Sequence, residues 1–330
     1  MELRYICAQP ATKYYAWQVE VMIVNFMAMG VNPNQMDIVC VNENGVPAEW
    51  QRMTMRYPCR FFFYTDQRET KHYISSKRPN VLKQHFAAHP ELKDEVIFYH
   101  DCDIIFSKPP TEWILPEMLE DFKWYGSDTR GYISHSYIVS KGQEVMDKMC
   151  EIMRVPERLI KDNELNCIGA QYLMKHVTAS FWEQVEKDSE ILYKQMTALN
   201  NKLIPIENAK WEVRKKEWDN PDKPFAEPKY NPLQIWCADM WAVLWGAWRM
   251  GFETQTHPNF DFSWGTSDAK TYDEKNIMHN AGVTDAAGGL FYKCAYITES
   301  PYWKHLTINE NTASKKYYEW VQKTERLSVL

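Results

Sequence analysis

Two aspartates separated by one residue, Asp101 and Asp103, are the side chains whose type and spacing most clearly allow chemistry. They follow residues 96–99, an apolar run with the length of a buried strand. Along an extended chain residues i and i+2 point to the same side, so both carboxylates can face one ligand. Two like charges held this close repel each other unless a cation lies beside them. The pair therefore predicts a site for a divalent metal ion and a phosphate-bearing ligand.

The elements before this pair must place it at one edge of a sheet. Residues 4–8, 36–41, 61–64 and 96–99 are predicted as strands, and residues 13–29 and 80–89 as helices, the second capped by Asn80. Strands that alternate with helices predict an α/β fold with a doubly wound, mainly parallel central sheet flanked by helices. Such sheets bind ligands at the carboxyl ends of their strands, which is where the aspartate pair lies.

The later part of the chain has weaker patterns. Strands are predicted at 124–128, at 136–139 and after the two glycines at 288–289, and helices at 142–153, 167–176, 181–200, 235–250 and 314–326. Residues 201–232 are polar, charged and contain several prolines, which predicts a long excursion or lid. The tryptophan-rich helix at 235–250 is shorter than the roughly 18 apolar residues of a membrane span, so it is predicted to lie in the core.

Composition and charge exclude several classes of protein. With 45% hydrophobic and 25% charged residues, the 330-residue chain is typical of a soluble globular protein. Its net charge of −6 argues against nonspecific binding to nucleic acid or membrane surfaces. The eight cysteines have no C-x-x-C pair and no zinc-like spacing with histidine, which predicts reduced thiols. Because the chain as given has no signal-peptide or transmembrane pattern, we expect a cytoplasmic location.

Two features resemble the GT-A class of glycosyltransferases. One is the α/β half that ends in the D-x-D pair, and the other is the late histidine His279 within residues 277–282, Ile-Met-His-Asn-Ala-Gly. More narrowly, this segment and residues 238–242, Ala-Asp-Met-Trp-Ala, resemble the hydroxyproline O-arabinosyltransferase and peptidyl-serine galactosyltransferase group. The chain differs from that group at Asp239, where glutamate is usual.

The resemblance implies an activity and a domain plan. The activity is metal-dependent transfer of a sugar from a nucleotide-diphosphate donor, above all a UDP-sugar, to a hydroxyl of a glycan or glycoprotein acceptor. The plan is a single catalytic domain over residues 1–330, with a nucleotide-sugar-binding half at 1–110 and an acceptor-side half at 111–330. No nucleic acid is expected as a partner.

The resemblance also implies a metal site formed by Asp101, Asp103 and His279. Mixed carboxylate and imidazole ligation suits Mn²⁺ and tolerates Mg²⁺. Sugar transfer builds negative charge on the leaving diphosphate, and a metal that binds both phosphates stabilises that charge. Asp103 would bind the metal directly, and Asp101 would bind the metal, its water or the donor ribose. Taken alone, His279 fits an ordinary core or surface histidine better than a metal ligand, and only its pairing with the D-x-D makes the two roles equal.

Other residues are candidates for contact with the donor. Ala8 and Gln9 end the first strand and would lie under the nucleotide. Asp37 and Asp66 could reach the base or ribose, or they could be plain loop acids. Arg78 and the lysine before it could meet the diphosphate, or they could be exposed charges at a helix start.

On the acceptor side three polar residues are candidates for catalysis. Asp239 is the best candidate for a general base, because burial among aromatic rings would raise the pKa of its carboxyl; its alternative role is to cap a helix. Gln171 resembles a position near the donor sugar in GT-A enzymes, and Asp128 could contact sugar hydroxyls. Trp264 could stack on a sugar ring, although most tryptophans belong to the core. Inversion and retention both stay open, since only inversion requires a base.

Two other functions fit parts of the pattern. A HAD-type phosphatase also has aspartates after an apolar strand, but there the D-x-D normally continues to Thr or Val, where this chain has Ile104 and Ile105, and it follows the first strand. A noncatalytic carbohydrate-binding domain would use the aromatic residues and not the carboxylates. The metal-dependent transferase is the predicted function.

Overall fold

The computed structural model describes residues 2–219 and 223–328. In these ranges the strands are β1 Leu3–Pro10, β2 Met36–Val41, β3 Arg60–Tyr64, β4 Val96–His100, β5 Ile104–Phe106, β6 Trp124–Asp128, β7 Ile168–Lys175, β8 Thr254–Thr256, β9 Phe262–Trp264 and β10 Ile277–His279. The α-helices are α1 Lys13–Ala28, α2 Ala48–Arg56, α3 Lys77–Ala88, α4 Pro116–Glu120, α5 Arg130–Ile133, α6 His135–Val139, α7 Gln143–Met153, α8 Glu157–Asp162, α9 Ala179–Glu217, α10 Ala238–Arg249, α11 Lys270–Glu274 and α12 Ala313–Ser328. Within the described residues, none of the helices combines the length and the apolar character of a membrane span.

Seven strands form the central sheet in the order β3-β2-β1-β4-β7-β6-β8. Neighbouring strands are parallel from β3 through β4 and again between β6 and β8, while β7 is antiparallel to both β4 and β6. The predicted α/β class and the mainly parallel sheet are therefore confirmed. A smaller sheet, β5-β10-β9, begins just past the carboxyl end of β4. It brings the last third of the chain to the edge where the aspartate pair lies.

Helices cover both faces of the central sheet. On β1, Ile6 and Ala8 belong to the apolar cluster shared with α3, α7, α9 and α10, whereas Tyr5 and Cys7 belong to the cluster shared with α1, α2 and α12. Alternate residues of a strand point to opposite faces, so a strand covered on both sides is apolar along its whole length. The middle residues of β1, β2 and β4 have this pattern, whereas the edge strand β3 is only partly buried. The prediction locates each of the four strands within two residues of its observed ends.

Two segments have the opposite structure from the predicted one. Residues 167–176, predicted as a helix, form β7, in which Tyr172 and Leu173 pack into opposite apolar clusters. A short apolar run buried on both faces has no period that separates strand from helix. Residues 136–139, predicted as a strand, lie in α6. The hydroxyl of Ser134 caps this helix by accepting a hydrogen bond from the backbone N–H of Tyr137 at 3.3 Å.

Helix α3 begins at Lys77, earlier than predicted, and this places Arg78 in its first turn. Asn80 is therefore not the cap. Its side chain is buried and donates a hydrogen bond to Oε2 of Glu186 at 2.9 Å. Pro79 is tolerated because the first N–H groups of a helix have no partner within the helix.

The predicted excursion at 201–232 is partly helical. Residues 201–217 continue α9, and residues 220–222 lie outside the described part of the chain. From residue 223 the chain returns along α9, where Trp211 packs on Phe225 with ring centroids 5.5 Å apart and donates to the carbonyl of Glu227 at 2.8 Å. Residues 201–217 are thus part of a long helix, and the residues that follow 223 pack along that helix. The strand predicted after residue 289 is instead an irregular segment with a 3-10 turn at Lys293–Tyr296.

Candidate active site

Asp101 and Asp103 lie in the link between β4 and β5. The strand β5 pairs with β10 in antiparallel register, so that Ile104 stands opposite His279. Beside this pair the backbone N–H of Asn280 donates to the carbonyl of Asp103 at 2.9 Å. The ladder of the small sheet therefore brings the late histidine next to the D-x-D pair.

The three predicted metal ligands converge. Nε2 of His279 lies 3.2 Å from Oδ1 of Asp103 and 3.5 Å from Oδ2 of Asp101, and one ligand atom from each residue falls within 4.8 Å of the others. Nδ1 of His279 is buried and has no hydrogen-bond partner among the described residues, so Nε2 is the nitrogen that faces the carboxylates. Two carboxylates and one imidazole form a donor set that fits Mn²⁺ or Mg²⁺.

Basic side chains neutralise these carboxylates. Lys293 donates to Asp103, and Arg78 donates to both Asp101 and Asp239. Burial opposes ionisation of Asp103, but the charges of Lys293 and His279 outweigh it and lower the pKa of the Asp103 carboxyl below its ordinary value. Asp103 is therefore held as an anion, which is the form that ligates a metal.

These groups line a cleft of about 370 Å³ at the carboxyl edge of the sheet. In the described part of the chain, its charged residues are three basic and three acidic side chains, namely Lys77, Arg78, Lys293, Asp101, Asp103 and Asp239. The formal charges cancel, so a bound divalent cation would leave the cleft with two positive charges in excess. Such a cleft is complementary to a diphosphate. Ala8 and Gln9, for which a contact with the nucleotide is predicted, also belong to its lining.

Asp239 faces this cleft from the first turn of α10. Because α10 begins at Ala238, Asp239 is inside the helix and is not its cap. One carboxylate oxygen lies 2.7 Å from the hydroxyl of Tyr73, and the other accepts from Arg78. Both oxygens are therefore engaged by protein donors, of which Arg78 lines the cleft and Tyr73 is buried.

The predicted nucleotide contacts of Asp37 and Asp66 are wrong. Asp37 is fully buried at the amino end of β2, where Nε2 of His85 lies 3.0 Å away and Nε of Arg60 lies 3.1 Å away. Asp66 is held by the guanidinium of Arg68 at 2.8 Å, and these hydrogen bonds lower the pKa of the Asp66 carboxyl below its usual range. Both aspartates serve internal ion pairs.

The predicted sugar contacts of Gln171 and Asp128 are corrected as well. Gln171 is fully buried, and its amide has no hydrogen-bond partner among the described residues. Its neighbours Ala170 and Tyr172 line the cleft, so the alternation of β7 turns Gln171 away. Asp128 lies outside the lining and binds the guanidinium of Arg130 at 2.9 Å.

Three cleft residues were missed by sequence reasoning. Lys293 lies in an irregular segment, and Trp236 was assigned to a core helix, so neither carried a signal. Ala170 has φ of +63°, a left-handed conformation that is costly for a residue with a Cβ. It lies on β7, where the pairing with β6 shifts between Gly126 and Ser127. Such irregularities are common beside functional sites.

Comparisons with known proteins add the following. No family model and no curated protein matches the sequence. Among solved structures the chain is similar to the apo structure of WbbM, a bifunctional glycosyltransferase, with a TM-score of 0.48 and 9% identity over 99% of this chain and 51% of that chain. It therefore spans about half the length of the WbbM structure.

Two further structures are similar to this chain. The galactosyltransferase LgtC in complex with donor and acceptor sugar analogues has a TM-score of 0.44 and 10% identity over 98% of this chain and 96% of that chain. The glucosyl-3-phosphoglycerate synthase of Mycobacterium tuberculosis, solved with Mn²⁺ and UDP, has a TM-score of 0.32 and 11% identity over 57% of this chain and 64% of that chain. Because these TM-scores lie below 0.5, the function is inferred from the site residues.

Proposed function

We propose that this protein is a metal-dependent glycosyltransferase of the GT-A class that moves a sugar from a nucleotide-diphosphate donor, above all a UDP-sugar, to a hydroxyl of a glycan or glycoprotein. The observation that carries this proposal is the convergence of Asp101, Asp103 and His279 beside a cleft that also contains Arg78 and Lys293. Anionic ligands for a divalent metal and cations for a diphosphate thus lie together at the carboxyl edge of a parallel sheet. The narrower likeness to the hydroxyproline O-arabinosyltransferase group remains a prediction.

Each charged group has a proposed task in the transfer. Asp101, Asp103 and His279 would hold Mn²⁺ or Mg²⁺, which when bound neutralises the negative charge of the departing diphosphate. Lys293 would exchange Asp103 for a phosphate oxygen, and Arg78 would do the same with Asp101. Both cations already point into the cleft, so they need little reorganisation to stabilise the leaving group.

The nucleoside of the donor has a proposed place in a second cavity of about 540 Å³. This cavity lies at the carboxyl ends of β1 and β2 and includes the loop of residues 42–47. Pro10 and Lys77 belong to its lining and to that of the main cleft, so the two spaces adjoin. Nζ of Lys77 is held by Glu43 at 2.8 Å. Polar groups of this loop would contact the base or ribose, which is the role predicted for Asp37 and Asp66.

Asp239 is the proposed proton acceptor. Among the described residues of the cleft lining, it is the one carboxylate that is not a proposed metal ligand. Arg78 now occupies one of its oxygens, and a diphosphate that competes for the guanidinium would free that oxygen to accept the proton of an acceptor hydroxyl. This role applies if the reaction inverts the anomeric carbon, which NMR of the product would establish.

The test is a screen of nucleotide sugars with MnCl₂, in which release of the nucleoside diphosphate by donor hydrolysis is measured. Asp103→Ala should lower turnover at least ~100-fold, because it removes a metal ligand. Asp147→Ala, at an exposed aspartate of α7, is the matched control and should hydrolyse the donor like wild type. Equal hydrolysis by wild type and Asp103→Ala would refute the assignment. Trapping of a phosphoaspartate would instead support the phosphatase alternative, which the position of the pair after β4 disfavours.

A further inference from the structure

Trp236 is a large apolar side chain that remains exposed to solvent in the folded protein. It lies on the 3-10 turn Ile235–Cys237, just before α10, and 58% of its surface is exposed although it lines the cleft. Ile74, 68% exposed, belongs to the same lining. Exposed apolar surface inside a cleft is typical of a binding surface.

The indole of Trp236 is held in place by its neighbours. Its ring stacks on Tyr132, with centroids 6.1 Å apart and planes 24° apart. Its backbone carbonyl accepts a hydrogen bond from the hydroxyl of Tyr73 at 2.6 Å. Tyr73 is itself buried and stacks on Tyr193 of α9 at 4.8 Å. The result is a flat aromatic surface that is already oriented before a ligand arrives.

Polar groups border this surface. The hydroxyl of Tyr73 also lies 2.7 Å from Asp239, whose other oxygen binds Arg78. An aromatic face next to a carboxylate and a guanidinium matches a pyranose ring, which has an apolar face of C–H groups and a rim of hydroxyls. An extended peptide that adds to a strand edge would need main-chain hydrogen bonds, and the turn and the helix that carry Trp236 and Tyr132 offer no strand edge. A proline-rich peptide can dock on aromatic side chains, and the transfer experiment below distinguishes it from a glycan.

Trp264, the sugar-stacking candidate of the sequence, has another position. Its ring lies parallel to that of His279, with centroids 6.2 Å apart and planes 12° apart. It therefore lies against the metal ligand His279, whereas Trp236 lies on the turn that precedes Asp239, the proposed proton acceptor. Trp264 therefore lies with the proposed metal ligands and Trp236 with the proposed proton acceptor.

We infer that Trp236, backed by Tyr132, forms a subsite for the pyranose ring of a carbohydrate acceptor, and that the acceptor hydroxyl belongs to a glycan and not to a peptide side chain. This inference rests on the proposed function and names its acceptor class. The ring would lie on the indole, and its hydroxyls would reach Asp239 and Arg78.

The first experiment needs no donor. Saturation-transfer NMR is recorded for methyl β-D-galactopyranoside, methyl β-D-glucopyranoside and methyl α-D-mannopyranoside with wild type, Trp236→Ala and Trp303→Ala. Trp303 is 62% exposed and lies outside the cleft lining, so its variant is the matched control. We expect ring C–H signals from at least one glycoside with wild type and Trp303→Ala, and their loss with Trp236→Ala. Absence of signal with wild type, or equal signal with Trp236→Ala, overturns the inference.

The second experiment measures transfer with the donor chosen by the nucleotide-sugar screen. Trp236→Ala should raise the KM for the glycoside about tenfold, Trp236→Phe should restore most of this loss, and Trp303→Ala should have the KM of wild type. Transfer to serine or hydroxyproline peptides, with no transfer to the glycosides, overturns the inference.

The two experiments together separate failure of the subsite from failure of the proposed function. If donor is hydrolysed but no glycoside binds, the subsite fails while the proposed function stands. If glycosides bind but no donor is hydrolysed, the proposed function fails while the subsite stands.

Discussion

Two buried clusters with the same residue types lie at opposite ends of the central sheet. At the amino end Asp37 meets Arg4, Arg60 and His85. At the carboxyl end Asp103 meets Lys293 and His279, and one residue separates it from Asp101. The difference lies in access, because Asp37 is fully buried whereas Asp103 lines the cleft. A cluster of aspartate, histidine and a basic side chain is therefore not by itself evidence of a functional site. It must also line a cleft that a ligand can enter.

The two histidines make this contrast concrete. Nδ1 of His85 lies 3.1 Å from the hydroxyl of Tyr64 and Nε2 lies 3.0 Å from Asp37, so a neutral imidazole is fully bonded. His279 directs Nε2 at two carboxylates of the cleft, and its Nδ1 has no partner in the described part of the chain. The first arrangement is closed, and the second can accept a metal ion.

The largest expected effect that separates the clusters is on stability. Asp37→Ala leaves Arg4 and Arg60 without their shared buried partner, and breaking a buried ion pair costs about 3–5 kcal/mol of unfolding free energy. Urea unfolding measures this loss, and donor hydrolysis per folded molecule should equal that of wild type. Asp37→Asn serves if the alanine variant does not fold. A loss of Mn²⁺-dependent hydrolysis beyond the unfolded fraction would place Asp37 in the site after all.

A smaller effect is expected at the open cluster. His279→Ala should weaken Mn²⁺ binding about 10- to 100-fold, because it removes one of the three ligands while the fold keeps its other contacts. Titration calorimetry with MnCl₂ measures the affinity, and urea unfolding should show a change smaller than that of Asp37→Ala. His305→Ala, at an exposed histidine, is the control. Equal Mn²⁺ affinity in wild type and His279→Ala would remove this residue from the metal site.

The smallest effect concerns pH. Burial lowers the pKa of His85 below its ordinary value, although Asp37 acts in the opposite direction. The unfolded chain therefore binds more protons than the folded one below about pH 6.5, so the stability that depends on His85 is lost as the pH falls through that value. Urea midpoints measured from pH 7.5 to 5.5 in EDTA should fall less steeply for His85→Gln than for wild type. If the urea midpoints of wild type and His85→Gln fall equally steeply with pH, His85 does not contribute to the pH dependence of stability.

Much of the first half of the fold could be predicted because its signals are local. The strands β1 to β4 are apolar runs ended by turn residues, and the D-x-D pair follows the last of them. The pairing of His279 with this pair was expected only through the family resemblance. No local pattern indicates that β10 would lie beside β5, since the small sheet joins segments far apart in the chain.

The sequence by itself determined the α/β class and the two carboxylates at a strand end, because apolar period and spacing are properties of neighbouring residues. Only the tertiary structure decided that Asp37 is closed into an ion-pair network while Asp103 opens on a cleft. It also decided that β7 is a strand, and that Lys293 and Trp236 reach the site. These outcomes depend on which distant segments pack together, and packing between distant segments leaves no periodic pattern in the chain.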